Sequence, residues 1–111
     1  MSTTDRRSGL ERRAAERYKL TVDIEWENIF GRRIGTLGDI SVKGCFILGA
    51  GEIHDGEIVR LFLPSIGGTK VQLLGEVSNH DFEIGFGAFF IDLTGSQKDF
   101  LESFIGMYRQ S

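Results

Sequence analysis

The 111-residue sequence predicts an all-β dominated fold, a six-stranded antiparallel β-barrel with a C-terminal α-helix. Three observations carry this. The stretch Tyr18 to Glu27 alternates strictly between apolar and polar residues, five further short strand-like runs follow it between turn residues, and the last segment changes to helical spacing. In a chain this small, closing the sheet removes the exposed edges that an open sheet would have to protect.

The first strand is the clearest element. Leu20, Val22, Ile24 and Trp26 share one face, while Lys19, Thr21, Asp23, Glu25 and Glu27 share the other, as a half-buried strand requires. Two runs with weaker alternation follow, Ile34 to Ser41 and Cys45 to Leu48, joined by a short turn at "SVKG". After the glycine-flanked stretch "GAGEIHDGE", Ile58 to Leu63 reads as a strand that stops at Pro64, which has no backbone donor. "SIGG" connects it to Val71 through Ser78, with Val71, Leu73, Gly75 and Val77 on one face. "NHD" is then expected to turn the chain into a last strand, Phe82 to Leu93, whose Ile84, Phe86, Ala88 and Phe90 lie on one side. Phe100, Leu101, Phe104, Ile105 and Tyr108 recur at helical spacing, so a helix is expected over about residues 96 to 109, with "SQKD" (Ser96 to Asp99) as its capping box.

Composition narrows the function. With 41% hydrophobic and 26% charged residues the chain falls in the soluble globular class, and its length suits one domain. No apolar run approaches the roughly 20 residues of a spanning helix, and the start "MSTTDRRSGLERR" has no apolar centre like that of a signal peptide, so a cytoplasmic protein without membrane insertion is expected. One cysteine, Cys45, excludes an internal disulfide, and with only His54 and His80 as further soft ligands no metal is expected.

Charge is unevenly distributed. Residues 1 to 20 hold six basic residues against three acids, whereas the other 91 hold seven against thirteen. A basic arm, residues 1–17, precedes an acidic body, residues 18–111. This favours a local anion site over the broad positive face that a polynucleotide would need.

Two clusters of polar residues stand out. In "DISVKG", Asp39 and Ser41 are two apart, so a strand would point both outward while Ile40 points to the core. Gly44 would permit a positive φ or a close approach. The plainer alternative is a strand end at which Asp39 and Ser41 cap backbone groups. In "RRAAER", Arg13 and Arg17 bracket three residues, a spacing that can present both guanidiniums together. The planar fork of guanidinium suits phosphate, and it equally suits O6 and N7 of guanine. A carboxylate suits guanine's N1 and N2 donors, so together the clusters describe a guanine nucleotide site. The plainer alternative for the arginines is solvated charge, and this is the better reading for the outlying pair Arg6 and Arg7, which could add phosphate contacts.

The order RRxxxR (Arg12, Arg13, Arg17), first strand, then D-x-S-x-x-G (Asp39, Ser41, Gly44) resembles the PilZ domain, and "GCFIL" and "GFGAFFIDL" resemble that family's apolar strands. The resemblance runs from Arg12 to the end of the chain. It implies a six-stranded barrel with a C-terminal helix that binds the bacterial second messenger cyclic di-GMP. It also implies that Arg13 and Arg17 grip a guanine and the phosphates, that Asp39 and Ser41 bind from the barrel face, and that Gly44 keeps the approach open. An arginine at the position of Arg12 further implies two stacked ligands per site. An arm of this composition is expected to be mobile when free and ordered by ligand, changing the surface shown to an effector protein.

Catalysis is not expected. His54 and Asp55 read as a loop turn, Ser65 lacks the glycines of a nucleophile elbow, and Cys45 lies in an apolar run. Among Phe82, Phe86, Phe89 and Phe90, alternation leaves Phe89 as the outward ring. The readings that compete with a receptor are a small barrel that binds RNA or single-stranded DNA through its arginine arm, and a nucleotide-independent protein-interaction module.

Overall fold

The computed structural model describes residues 16–81 and 83–109. Six strands, β1 (Tyr18–Asn28), β2 (Gly31–Ile40), β3 (Gly44–Leu48), β4 (Ile58–Pro64), β5 (Lys70–Asp81) and β6 (Gly85–Ile91), are followed by one helix, α1 (Gly95–Arg109). All ladders are antiparallel, and the strands close into a barrel in the order β1-β2-β3-β6-β5-β4. The predicted fold class is therefore the observed one.

Period-two alternation explains the core. Ile24, Trp26, Leu37, Ile40, Cys45, Ile47, Val59, Leu61, Leu63, Leu73, Val77, Phe86 and Ala88 are all buried inside. Trp26 meets Phe86 edge to face, with ring centroids 4.9 Å apart and planes inclined by 65°, one of the arrangements that the ring quadrupoles favour. One end of the barrel is covered by α1, whose Leu101, Phe104 and Ile105 join the core cluster. At the other end Ile53 is buried, and Asn28 ties its loop down by donating from Nδ2 to the Glu52 carbonyl (2.9 Å) while Oδ1 accepts from Phe30 N (3.0 Å).

Several boundaries differ from expectation. "NHD" does not turn the chain: Asn79, His80 and Asp81 continue β5, and Ile84 sits in the following turn, 51% exposed, rather than on the inner face. The capping box is Thr94 to Gln97, not Ser96 to Asp99. Gln97 N donates to Thr94 Oγ1 (3.1 Å) and Thr94 N to Gln97 Oε1 (2.8 Å), the reciprocal pair that defines such a box. Pro64 is itself the last residue of β4, opposite Lys70. Among the described residues no helix is long and apolar enough to cross a membrane, and no group of His, Cys, Asp or Glu is placed to hold a metal ion.

Candidate functional site

The register of the barrel puts Lys19, Asp39, Phe46, Gly87 and Asn79 in one row across β1, β2, β3, β6 and β5. The next row, Tyr18, Ile40, Cys45, Ala88 and Val77, faces the core, so the first faces outward. Along the outer row lies a trough of about 320 Å³ lined by Arg17, Asp39, Phe46, Ser78, Asn79, Gly87 and Phe89, with Cys45 and Ala88 beneath.

Two irregularities shape this trough. The ladder of β2 with β3 shifts between Leu37 and Asp39, and that of β5 with β6 shifts between Val77 and Asn79. Each is a β-bulge, which re-aims side chains that strict alternation would send elsewhere. At β5 the bulge turns Ser78 and Asn79 to the same outer face, where Ser78 Oγ donates to Asn79 Oδ1 (3.3 Å).

Arg17 precedes β1 and reaches across the sheet to Asp39. Its Nε lies 2.9 Å and its Nη2 2.8 Å from Asp39 Oδ1, with the two side chains 46% and 25% exposed. No described residue donates to Asp39 Oδ2, so the pair keeps an open carboxylate oxygen beside guanidinium N–H groups that face solvent.

Ser41 and Gly44 act differently from the expectation. Asp39 does point outward and Ile40 inward, but β2 ends at Ile40, and Ser41 is fully buried rather than beside Asp39 on the outer face. Its hydroxyl accepts from Lys43 N (3.1 Å) and Gly44 N (3.2 Å) and donates to the Gly44 carbonyl (3.4 Å). The plainer alternative, a side chain that caps backbone groups, describes Ser41. Gly44 is needed neither for a positive φ nor as an open approach: a Cβ there would run into the Ala88 carbonyl, so glycine lets β3 lie close to β6. Arg6, Arg7, Arg12 and Arg13 lie outside the described residues, as does Phe82.

Burial pushes the Cys45 thiol from 9.0 up to about 12, with Arg17 acting against the rise and Asp39 adding to it, as loss of solvent around a thiolate requires. It is a neutral floor residue. His54 and Asp55 do sit in a turn, where Glu57 N donates to the His54 carbonyl (3.1 Å), and Asp55 pairs with His80 Nδ1 (2.8 Å) instead of with its neighbour.

Sequence reasoning misses Phe46, Ser78, Asn79 and Gly87. Phe46 is legible, because inward Cys45 and Ile47 leave it outward. The β5 bulge that turns Asn79 outward leaves no signature in alternation. Phe89, expected outward, is 55% exposed on the trough. Two larger hollows, of about 400 Å³ between α1 and the β4–β5 hairpin and about 550 Å³ beside His54 and His80, contain no residue of either motif.

Residues 11–106 match the PilZ domain family. A search of curated proteins by sequence finds no match. Among solved structures, the PilZ domain of CeSA from a cellulose-synthesizing bacterium superposes with a TM-score of 0.68 at 17% identity, covering 84% of this chain and 98% of that one. The Bacillus subtilis inhibitor of motility MotI/DgrA gives 0.70 at 18% identity over 89% of this chain and 51% of its own. PlzA of Borreliella burgdorferi, solved in complex with c-di-GMP, gives 0.67 at 10% identity over 91% of this chain and 44% of its own. The chain thus spans about half the length of the latter two, and at these identities the likeness concerns the fold.

Proposed function

This chain belongs to the PilZ domain family, and on that premise we propose that it is a receptor for cyclic di-GMP, held between the basic arm, residues 1–17, and the outer trough of the barrel. The observation that carries this reading is the Arg17–Asp39 pair at the trough, which offers guanidinium N–H groups and an open carboxylate oxygen side by side. The carboxylate accepts from N1 and N2 of a guanine, and the guanidinium donates to phosphate or to a base acceptor edge. The complex of PlzA with c-di-GMP supports the choice of ligand on a similar fold.

In this reading Arg13 joins Arg17 on the ligand, and Arg12 contacts a second, stacked molecule. Arg6 and Arg7 add phosphate contacts at most. Ser41 and Gly44 act by holding the turn and the strand spacing that set the trough, because the hydroxyl is spent on the turn. The ligand fixes residues 1–17 against the barrel, and a cytoplasmic effector protein reads the altered surface. The site binds and does not catalyse.

The test is titration calorimetry with cyclic di-GMP, GMP and cyclic di-AMP. Binding of cyclic di-GMP in preference to the other two, at two molecules per chain, is expected. One molecule per chain removes the role given to Arg12. Preference for a short oligonucleotide at physiological salt would overturn the receptor reading. Unchanged amide exchange in residues 5–17 on ligand addition would overturn the fixing of the arm.

A further inference from the structure

Asn79 stands on the bank of the trough opposite Asp39. In the outer row the two are separated by Phe46 and Gly87, three strand spacings or about 14 Å between backbones. The Phe46 ring and the bare backbone of Gly87 form the floor between them.

The Asn79 amide lies with Oδ1 toward Ser78 and Gly87. The Ser78 hydroxyl donates to Oδ1 (3.3 Å), and no described residue accepts from Nδ2, so the free end of the amide is a donor. Gly87 makes the seat: a Cβ there would come within 2.5 Å of Asn79 Oδ1 and push the amide off the sheet. The bulge, the absent Cβ and the hydroxyl thus converge on one group that the Arg17–Asp39 pair does not use. Asp39 takes the N1 and N2 donors of a guanine, and the adjoining edge on the side away from N2 carries the acceptors O6 and N7.

Resting on the reading of the trough as a cyclic di-GMP site, we propose that Asn79 is a specificity-determining residue, donating from Nδ2 to the O6/N7 edge of a bound guanine. Adenine has an amino group where guanine has O6, so the Nδ2 donor faces a donor there and the adenine ligand is disfavoured.

The experiment measures affinities of the full chain and of Asn79→Ala and Asn79→Leu for cyclic di-GMP, cyclic di-IMP and cyclic di-AMP. Thermal melts check the fold, which an exposed position leaves intact. Inosine keeps O6 and N7 but lacks the N2 amine. Both variants are expected to lose about five- to tenfold in affinity for cyclic di-GMP. The loss for cyclic di-IMP is expected to be equal, and that for cyclic di-AMP smaller. Parent-like binding of cyclic di-GMP by both variants overturns the proposal while leaving the receptor reading intact. A loss absent with cyclic di-IMP puts Asn79 on the donor edge and also overturns it. A parent chain that binds no cyclic di-GMP overturns the receptor reading and this assignment together.

Discussion

Asp39 and Ser41 are two residues apart and do different work, because the strand that aligns them ends between them. Alternation correctly sends Asp39 outward and Ile40 inward, but it cannot show that β2 stops at Ile40 and that Ser41 turns under the chain. The two should therefore separate by experiment. Asp39→Asn is expected to lower cyclic di-GMP affinity by at least tenfold. Its partner Arg17 is half exposed, so the same change is expected to shift stability by under about 1 kcal/mol. Ser41→Ala takes the partner from the buried N–H of Gly44 and the part-buried N–H of Lys43. It is expected to cost about 1–3 kcal/mol in denaturant unfolding, with affinity falling only as the turn loosens. Cys45 adds a pH signature. Its pKa is 9.0 unfolded and about 12 folded, so the folded state keeps a proton that the unfolded state releases. The thiol's contribution to stability is therefore complete below pH 9.0 and lost progressively as pH rises towards about 12, the sign that proton linkage requires. Against Cys45→Val, the parent should lose stability more steeply over that interval.

Elements are legible where periodicity is local and blurred where a tertiary contact decides. The apolar stripe Leu101, Phe104, Ile105 announces α1, but the sequence contains two overlapping four-residue candidates for its cap. Thr94 wins because Gln97 also donates from Nε2 to the Gln72 carbonyl (2.8 Å), tying the first turn to β5. Thr94→Ala is expected to cost about 1 kcal/mol, while Ser96→Ala should be nearly neutral; urea midpoints distinguish them. The extension of β5 through "NHD" is hidden because polar residues at a strand end look like a turn. Their place in the ladder comes from β6, where Asn79, His80 and Asp81 pair with Gly87, Phe86 and Gly85.

At the scale of the whole molecule, closure is predictable and strand order is not, because order is set by long-range pairing that short-range alternation does not encode. The observed ring has one short joint: β1 meets β4 over only Glu25, Trp26 and Glu27, whereas β4 pairs with β5 along its whole length. Opening should begin at that joint. Native-state amide exchange is expected to be faster for the β1–β4 bonds than for the β4–β5 bonds, and equal protection at the two would contradict this. Trp26 stands on the joint as the only tryptophan, so its fluorescence reports the event directly.

The closed ring also dictates how this molecule can be recognised. Every strand has a neighbour on both sides, so among the described residues no strand is an edge of the sheet along its whole length. A binding protein therefore finds no whole strand to extend by laying down one of its own, the mode of recognition that depends least on side-chain identity. Whatever docks on the convex wall reads shape and side-chain chemistry there, which makes its selectivity open to tuning by single substitutions without disturbing the frame beneath.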